Sequence, residues 1–108
     1  MEHTTRLDLE LLDERDPFEV DDDNRPHLLK HGPFDLRDLY DAWAFGAPLF
    51  YPAGDDGPAD WLMVAEVPGD LIVVPIAPAR SRDARHCRPV GLYRPSRWLA
   101  QQYQEDSR

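Results

Sequence analysis

Six of the twelve basic residues, Arg80, Arg82, Arg85, Arg88, Arg94 and Arg97, fall within residues 80–97, a stretch with one acid, Asp83. A guanidinium stays charged and donates in a planar fork that matches two oxygens of a phosphate or carboxylate, whereas the only Lys, Lys30, is a point charge. Eighteen of the twenty-one Asp and Glu residues lie before residue 71. A basic belt on an acidic body meets either a polyanion or the chain's own acidic part. Lys30 and His31 form a second group at the end of a predicted helix. Cations there oppose the negative end of the dipole, and a histidine near neutrality can also move protons. His27 and His31 are four residues apart, a spacing compatible with one metal ion, and His86-Cys87 would complete the set on paper. No HExxH or CxxC accompanies them, so neither a metal nor another cofactor is expected.

The chain has 108 residues, a net charge of −9 and one cysteine, Cys87. That length supports one core, and a lone cysteine rules out an internal disulfide. No apolar run is long enough to span a bilayer, and the first residues lack the basic start and apolar stretch of a signal peptide. A cytoplasmic protein without a membrane partner is the expectation. The overall charge argues against coating nucleic acid non-specifically, while leaving room for a local basic cleft.

These groups must be positioned by an α+β domain. Residues 1–16 read as an acidic leader in which Leu7, Leu9 and Leu11 alternate with charged residues, as in a half-buried strand, an edge strand or a partner-binding arm. The domain proper is expected over residues 17–104, with a short tail at 105–108. Phe18 to Val20 reads as a strand. A helix from Arg25 to His31 stops at Gly32, and a second begins after the cap Asp35, with Leu36, Leu39, Tyr40 and Trp43 on its inner face. Leu49 to Tyr51 is a candidate strand, and Trp61 to Val67 and Leu71 to Ile76 form a hairpin around Pro68-Gly69-Asp70. Pro75 cannot donate to a ladder, so its strand is bulged or at an edge there. A last strand is expected over Arg88 to Leu92, then a helix capped by Ser96 with Trp98, Leu99, Gln102 and Tyr103 inward. The result is a small antiparallel sheet of three to five strands with two N-terminal helices and one C-terminal helix.

Several of these residues, in this order, resemble a known family. Phe18-Glu19-Val20-Asp21, Asn24, His27 and Lys30-His31-Gly32 resemble the opening of BrnT-type toxins, and Arg88 to Tyr93, Ser96, Arg97 and Tyr103 resemble their C-terminal pattern, with a helix pair and a hairpin between. The resemblance covers about residues 17–104. It implies a RelE-like fold, an RNA-cleaving bacterial toxin without a metal cofactor, and neutralisation by a ribbon-helix-helix antitoxin, with an oligomer assembled through it. Metal-free RNA cleavage needs proton transfer at two oxygens and stabilisation of the phosphorane charge. On that reading Arg88, the direct match, and Arg94 are expected to stabilise phosphate charge and His31 or Tyr93 to transfer protons, with Lys30, Arg80, Arg82, Arg85 and Arg97 binding RNA.

The chain departs from that pattern in three ways. Val20 stands where the family has Trp, and Tyr93 where it has Arg. The family is usually basic, and this chain is acidic. An Arg one position further on, Arg94, faces the opposite way along a strand unless a bulge re-aims it. Two alternatives follow: a non-catalytic protein-binding module on the same fold, and an acidic decoy that mimics nucleic acid through Asp8 to Asp23.

Overall fold

The structure, a computed structural model, describes residues 6–30 and 32–108. It bears out the α+β class: helices α1 (Arg25–Leu29), α2 (Leu36–Phe45) and α3 (Arg97–Asp106), with strands β1 (Leu49–Pro52), β2 (Trp61–Val67), β3 (Asp70–Pro78) and β4 (Cys87–Pro89). The strands form one antiparallel sheet in the order β1-β2-β3-β4. Beyond β4, the expected first strand is reduced to a single parallel bridge between Phe18 and Cys87. Cys87 donates its N–H to the Pro17 carbonyl, and Glu19 donates to the Cys87 carbonyl, each at 2.7 Å.

Alternation along the two long strands divides the core. Met63, Ala65, Ile72, Val74 and Ile76 pack with Leu28, Leu39 and Ala42 on one side, while Val64 and Val73 pack with Leu99 and Tyr103 on the other. The β2–β3 turn is tighter than expected, since Val67 already pairs with Asp70 around Pro68-Gly69. Gly69 takes φ +75, the conformation a type II turn requires after proline.

Pro75 is accommodated by its neighbour. Ile76 pairs with Pro89, and Val73 pairs with Tyr93, so two residues of β3 face three of the last strand, Val90 to Leu92. That extra residue is a bulge placed where Pro75 has no N–H to offer. The expected strand Arg88–Leu92 is therefore corrected to β4 over Cys87–Pro89, an interruption, and a second contact at Tyr93.

Other expectations change for local reasons. Residues 6–16 do not form a leader apart from the domain; Leu7 and Leu12 are buried in its core. Leu9–Leu11 make a 3-10 turn instead of a strand because the Asp8 carboxylate accepts the Glu10 N–H and closes the chain locally. The first helix ends at Leu29, with Lys30 as its C-cap, and His31 lies outside the described residues. Asn24 precedes this helix without capping it by a side-chain bond. Its amide instead accepts from Asp21 N–H and donates to the Glu19 carbonyl, which sets the bend after Glu19. The capping box of Asp35 and Asp38 forms as expected. In α3, which runs through Asp106, Leu99 and Tyr103 face inward but Trp98 is 70% exposed. Trp98 stands about 100° around the helix from Leu99, away from the sheet.

Gly46 is the point where three elements meet. Its N–H donates to the Ala42 carbonyl, its carbonyl accepts from Glu66 of β2 at 2.9 Å, and the buried Tyr103 hydroxyl donates to the Gly46 and Ala47 carbonyls at 3.1 and 2.8 Å. A Cβ here would collide with the Glu66 carbonyl and stand 2.7 Å from the Ala42 carbonyl oxygen. Both obstacles are backbone, so Gly46→Ala should cost about 1–3 kcal/mol in overpacking and displaced hydrogen bonds. Denaturant unfolding should show a lower midpoint with an unchanged slope; an unshifted midpoint would contradict this role.

Candidate functional site

The arginine belt is built at one end of the sheet, where the loop 79–86 turns from β3 into β4. Arg88 is the central group. It lies opposite Ala77, only 11% of its side chain is exposed, and it donates through Nη1 to Glu19 Oε1 (3.0 Å) and Asp21 Oδ2 (2.8 Å) and through Nη2 to Asp21 Oδ1 (3.0 Å). Glu19 also accepts the backbone N–H groups of Arg80 and Ser81. The Arg80 side chain donates to Asp23 at 2.7 Å. Arg85 donates to Asp83 through Nε and Nη2, and His86 Nδ1 lies 3.4 Å from the same carboxylate. Arg80, Arg85 and Arg88 therefore meet the chain's own carboxylates.

The extended stretch from Glu19 to Asp21 makes this possible. Residues two apart on extended backbone point the same way, so both carboxylates face Arg88. The Asp21 carboxylate also accepts N–H bonds from Asp23 and Asn24, which lock the following turn. The Arg88 guanidinium and these amides hold the Asp21 carboxyl far below the usual carboxylate range. Partial burial opposes ionisation of Glu19, but the backbone N–H groups of Arg80 and Ser81 and the Arg88 fork outweigh it and leave that carboxyl lowered too. Beside them, burial pushes the Cys87 thiol up to about 12, so it is protonated and inert as a nucleophile at neutral pH.

The remaining members of the predicted site lie elsewhere. Arg94 donates through Nε to Asp70 Oδ2 at 2.9 Å, at the opposite end of β3 from Ala77. Seven residues of strand separate those ends by about 24 Å. Two different hollows reflect this: one of about 420 Å³ is lined by Asp23, His27, Arg80 and Arg88, and one of about 520 Å³ by Glu66, Asp70, Arg94 and Gln104. The bulge does not bring Arg94 back toward Arg88. Tyr93 exchanges backbone hydrogen bonds with Val73, and its ring packs with Val64, Val73 and Leu99. That ring also covers Gly91, where any Cβ would strike it, so Gly91 and Tyr93 fit each other sterically. Of the expected catalytic set, Arg88 and Arg94 lie at opposite ends of β3, the Tyr93 ring packs into the second cluster, and His31 lies outside the described residues.

Lys30 and Arg97 are exposed at the ends of different helices and form no ion pair among the described residues. Arg82 is exposed in the loop and likewise forms none. No group of three His, Cys, Asp or Glu residues suited to a metal ion occurs among the described residues. No helix among them is long and apolar enough to cross a membrane.

The acidic partners Glu19, Asp21 and Asp23 are what sequence reasoning missed. Their signal in the sequence is three acids at alternate positions in a segment that pairs with the strand carrying Arg88. The contribution of residues 6–16 to the belt is narrower: Asp13 donates its N–H to the Arg85 carbonyl at 2.8 Å. Comparison with protein-family models, curated proteins and solved structures returned no match.

Because the Glu19 and Asp21 carboxyls are lowered in the folded state, their stabilisation is complete above the ordinary carboxylate range and is lost as pH falls below about 4. Arg88→Met should therefore lower the thermal midpoint at pH 7 and flatten the loss of stability between pH 5 and 2. An acid profile as steep as that of the unaltered protein would contradict the clamp. Cys87 should resist a thiol reagent in the native protein and react fully in denaturant, and rapid native labelling would contradict its burial.

Proposed function

We propose that this chain is a non-catalytic protein-binding module on a BrnT-like scaffold, related to toxin components of type II toxin-antitoxin pairs, that keeps the docking of a ribbon-helix-helix antitoxin and lacks nuclease chemistry. The observation that carries this reading is the neutralisation of Arg88 by Glu19 and Asp21 at one end of β3, with Arg94 held by Asp70 at the other. Stabilising a phosphorane takes charged donors aimed at one point and free to meet the developing charge. Here the two arginines are bonded at strand positions about 24 Å apart along β3.

Supporting the scaffold reading is the order of elements: a strand contact at Phe18, two helices, a hairpin, a strand bearing Arg88, and a terminal helix closing through Tyr103. The acidic surface supports a partner that brings basic residues, as a DNA-binding antitoxin does, because opposite charge speeds encounter and suppresses wrong partners. The third reading, an acidic nucleic-acid mimic, is weakened by the same bonds, since Glu19, Asp21 and Asp23 spend their charge on the chain's own arginines.

Two measurements separate the module from the ribonuclease. Labelled single-stranded RNA incubated with purified protein at low salt should remain intact; cleavage that disappears on Arg88→Ala would establish the enzyme instead. Co-expression with the product of the adjacent reading frame should give a complex stable to size-exclusion chromatography. Intact RNA together with no complex would reject the module as well.

A further inference from the structure

A further hollow among the described residues lies on neither arginine site described above. A half-open groove of about 900 Å³ runs between residues 6–11 and the loop after β3. Its apolar wall is made by Leu7, Leu11, Pro78, Ala79 and Ala84. Leu11 is 52% exposed and offers apolar surface along this wall. The volume lies in the range of small-molecule sites, which pair apolar walls with a few placed polar groups.

The polar groups at this groove are biased toward positive charge. Arg6 and Arg82 both line it. Of its two carboxylates, Asp83 is held by Arg85 and His86, and Asp8 accepts the Glu10 N–H. Arg82 is different from Arg80, Arg85, Arg88 and Arg94, because no carboxylate among the described residues pairs with it. Its backbone is also distinctive: φ is +62, the left-handed region that an arginine enters only against steric resistance. Glycine or asparagine would sit there more easily, and strain of this kind persists where the surrounding structure holds it in place.

We propose that this groove is a binding site for a small amphipathic anion, with an apolar chain or ring of about ten carbons against Leu7, Leu11 and Ala84 and a carboxylate or phosphate head met by the guanidinium of Arg82 and assisted by Arg6. A planar fork suits either head bidentately, and an apolar body accounts for the exposed leucine. Arg82→Asn removes the head contact while relieving the backbone, so it should leave stability unchanged or raised and yet weaken binding. That opposite movement of stability and affinity is what a merely structural Arg82 would not produce. This site is independent of the partner-binding reading and survives its failure.

The test is titration of the full-length protein with decanoate and decyl phosphate, below their micelle concentrations, followed by two-dimensional NMR and calorimetry. Binding of at least one anion at sub-millimolar concentration is expected, with shifts centred on Leu7, Leu11, Ala84 and Arg82, and the tighter of the two identifies the preferred head. Arg82→Asn should weaken it at least fivefold, and Leu11→Asn, at an exposed position, should weaken it without unfolding the chain. Decanol and decyltrimethylammonium measure the apolar contribution alone and should bind at least fivefold more weakly. Binding of neither anion, equal binding of decanol or the cation, or full affinity in the Arg82→Asn variant would each overturn the proposal.

Discussion

One guanidinium ties the two ends of the chain together. Arg88 reaches across the sheet edge to Glu19 and Asp21, residues almost seventy positions earlier, and leaves itself nearly covered. Without that contact, the strand-like segment at Phe18 would be held to β4 by its single bridge and two backbone bonds. The same fork orients the turn at Asp21 to Asn24, from which α1 departs. A bonded charge pair this shielded contributes less through raw attraction than through the penalty of leaving either partner alone.

That constraint explains how Arg80 and Arg88 of the belt come to meet the chain's own carboxylates. Glu19 and Asp21 together hold Arg88 and Asp23 holds Arg80, so three acids mask two guanidinium charges, and the Asp21 carboxylate also fixes the turn that follows it. The outcome is an end of the sheet that is ionic but locally balanced. At the other end of the sheet the Tyr103 hydroxyl closes onto the Gly46 carbonyl, while beside the ionic end Phe18 packs edge-to-face against Tyr40 and Trp43, with ring centroids 5.5 and 5.8 Å away. Aromatic edges and carbonyl-directed hydroxyls lock orientation more firmly than aliphatic contacts of equal area. Arg82 and Arg97, by contrast, form no ion pair among the described residues.

How legible this was in the sequence depended on the range of the interaction. The capping box at Asp35, the inner face of α2 and the Pro-Gly hairpin were readable, because each is set by residues close together in the chain. The bulge opposite Pro75 was half legible: proline announces a missing donor, but nothing local says which strand yields. Pairings such as Arg88 with Asp21 were not legible, since many carboxylates compete for each arginine until the sheet has chosen its neighbours. Trp98 failed for a related reason. Helical periodicity admits several faces, and only the sheet beneath decides that Leu99 and Tyr103 turn inward while Trp98 does not.

The central claim is that Arg88 acts as an internal clamp on Glu19 and Asp21. A double-mutant cycle tests it most directly, using Arg88→Met, Asp21→Asn and the combined variant in chemical denaturation at pH 7. If the clamp is real, the double variant loses clearly less stability than the two single losses added together, because either substitution already breaks the same contact. Strictly additive losses would mean that Arg88 and Asp21 stabilise the fold independently, and the arginine would again be available to an external anion.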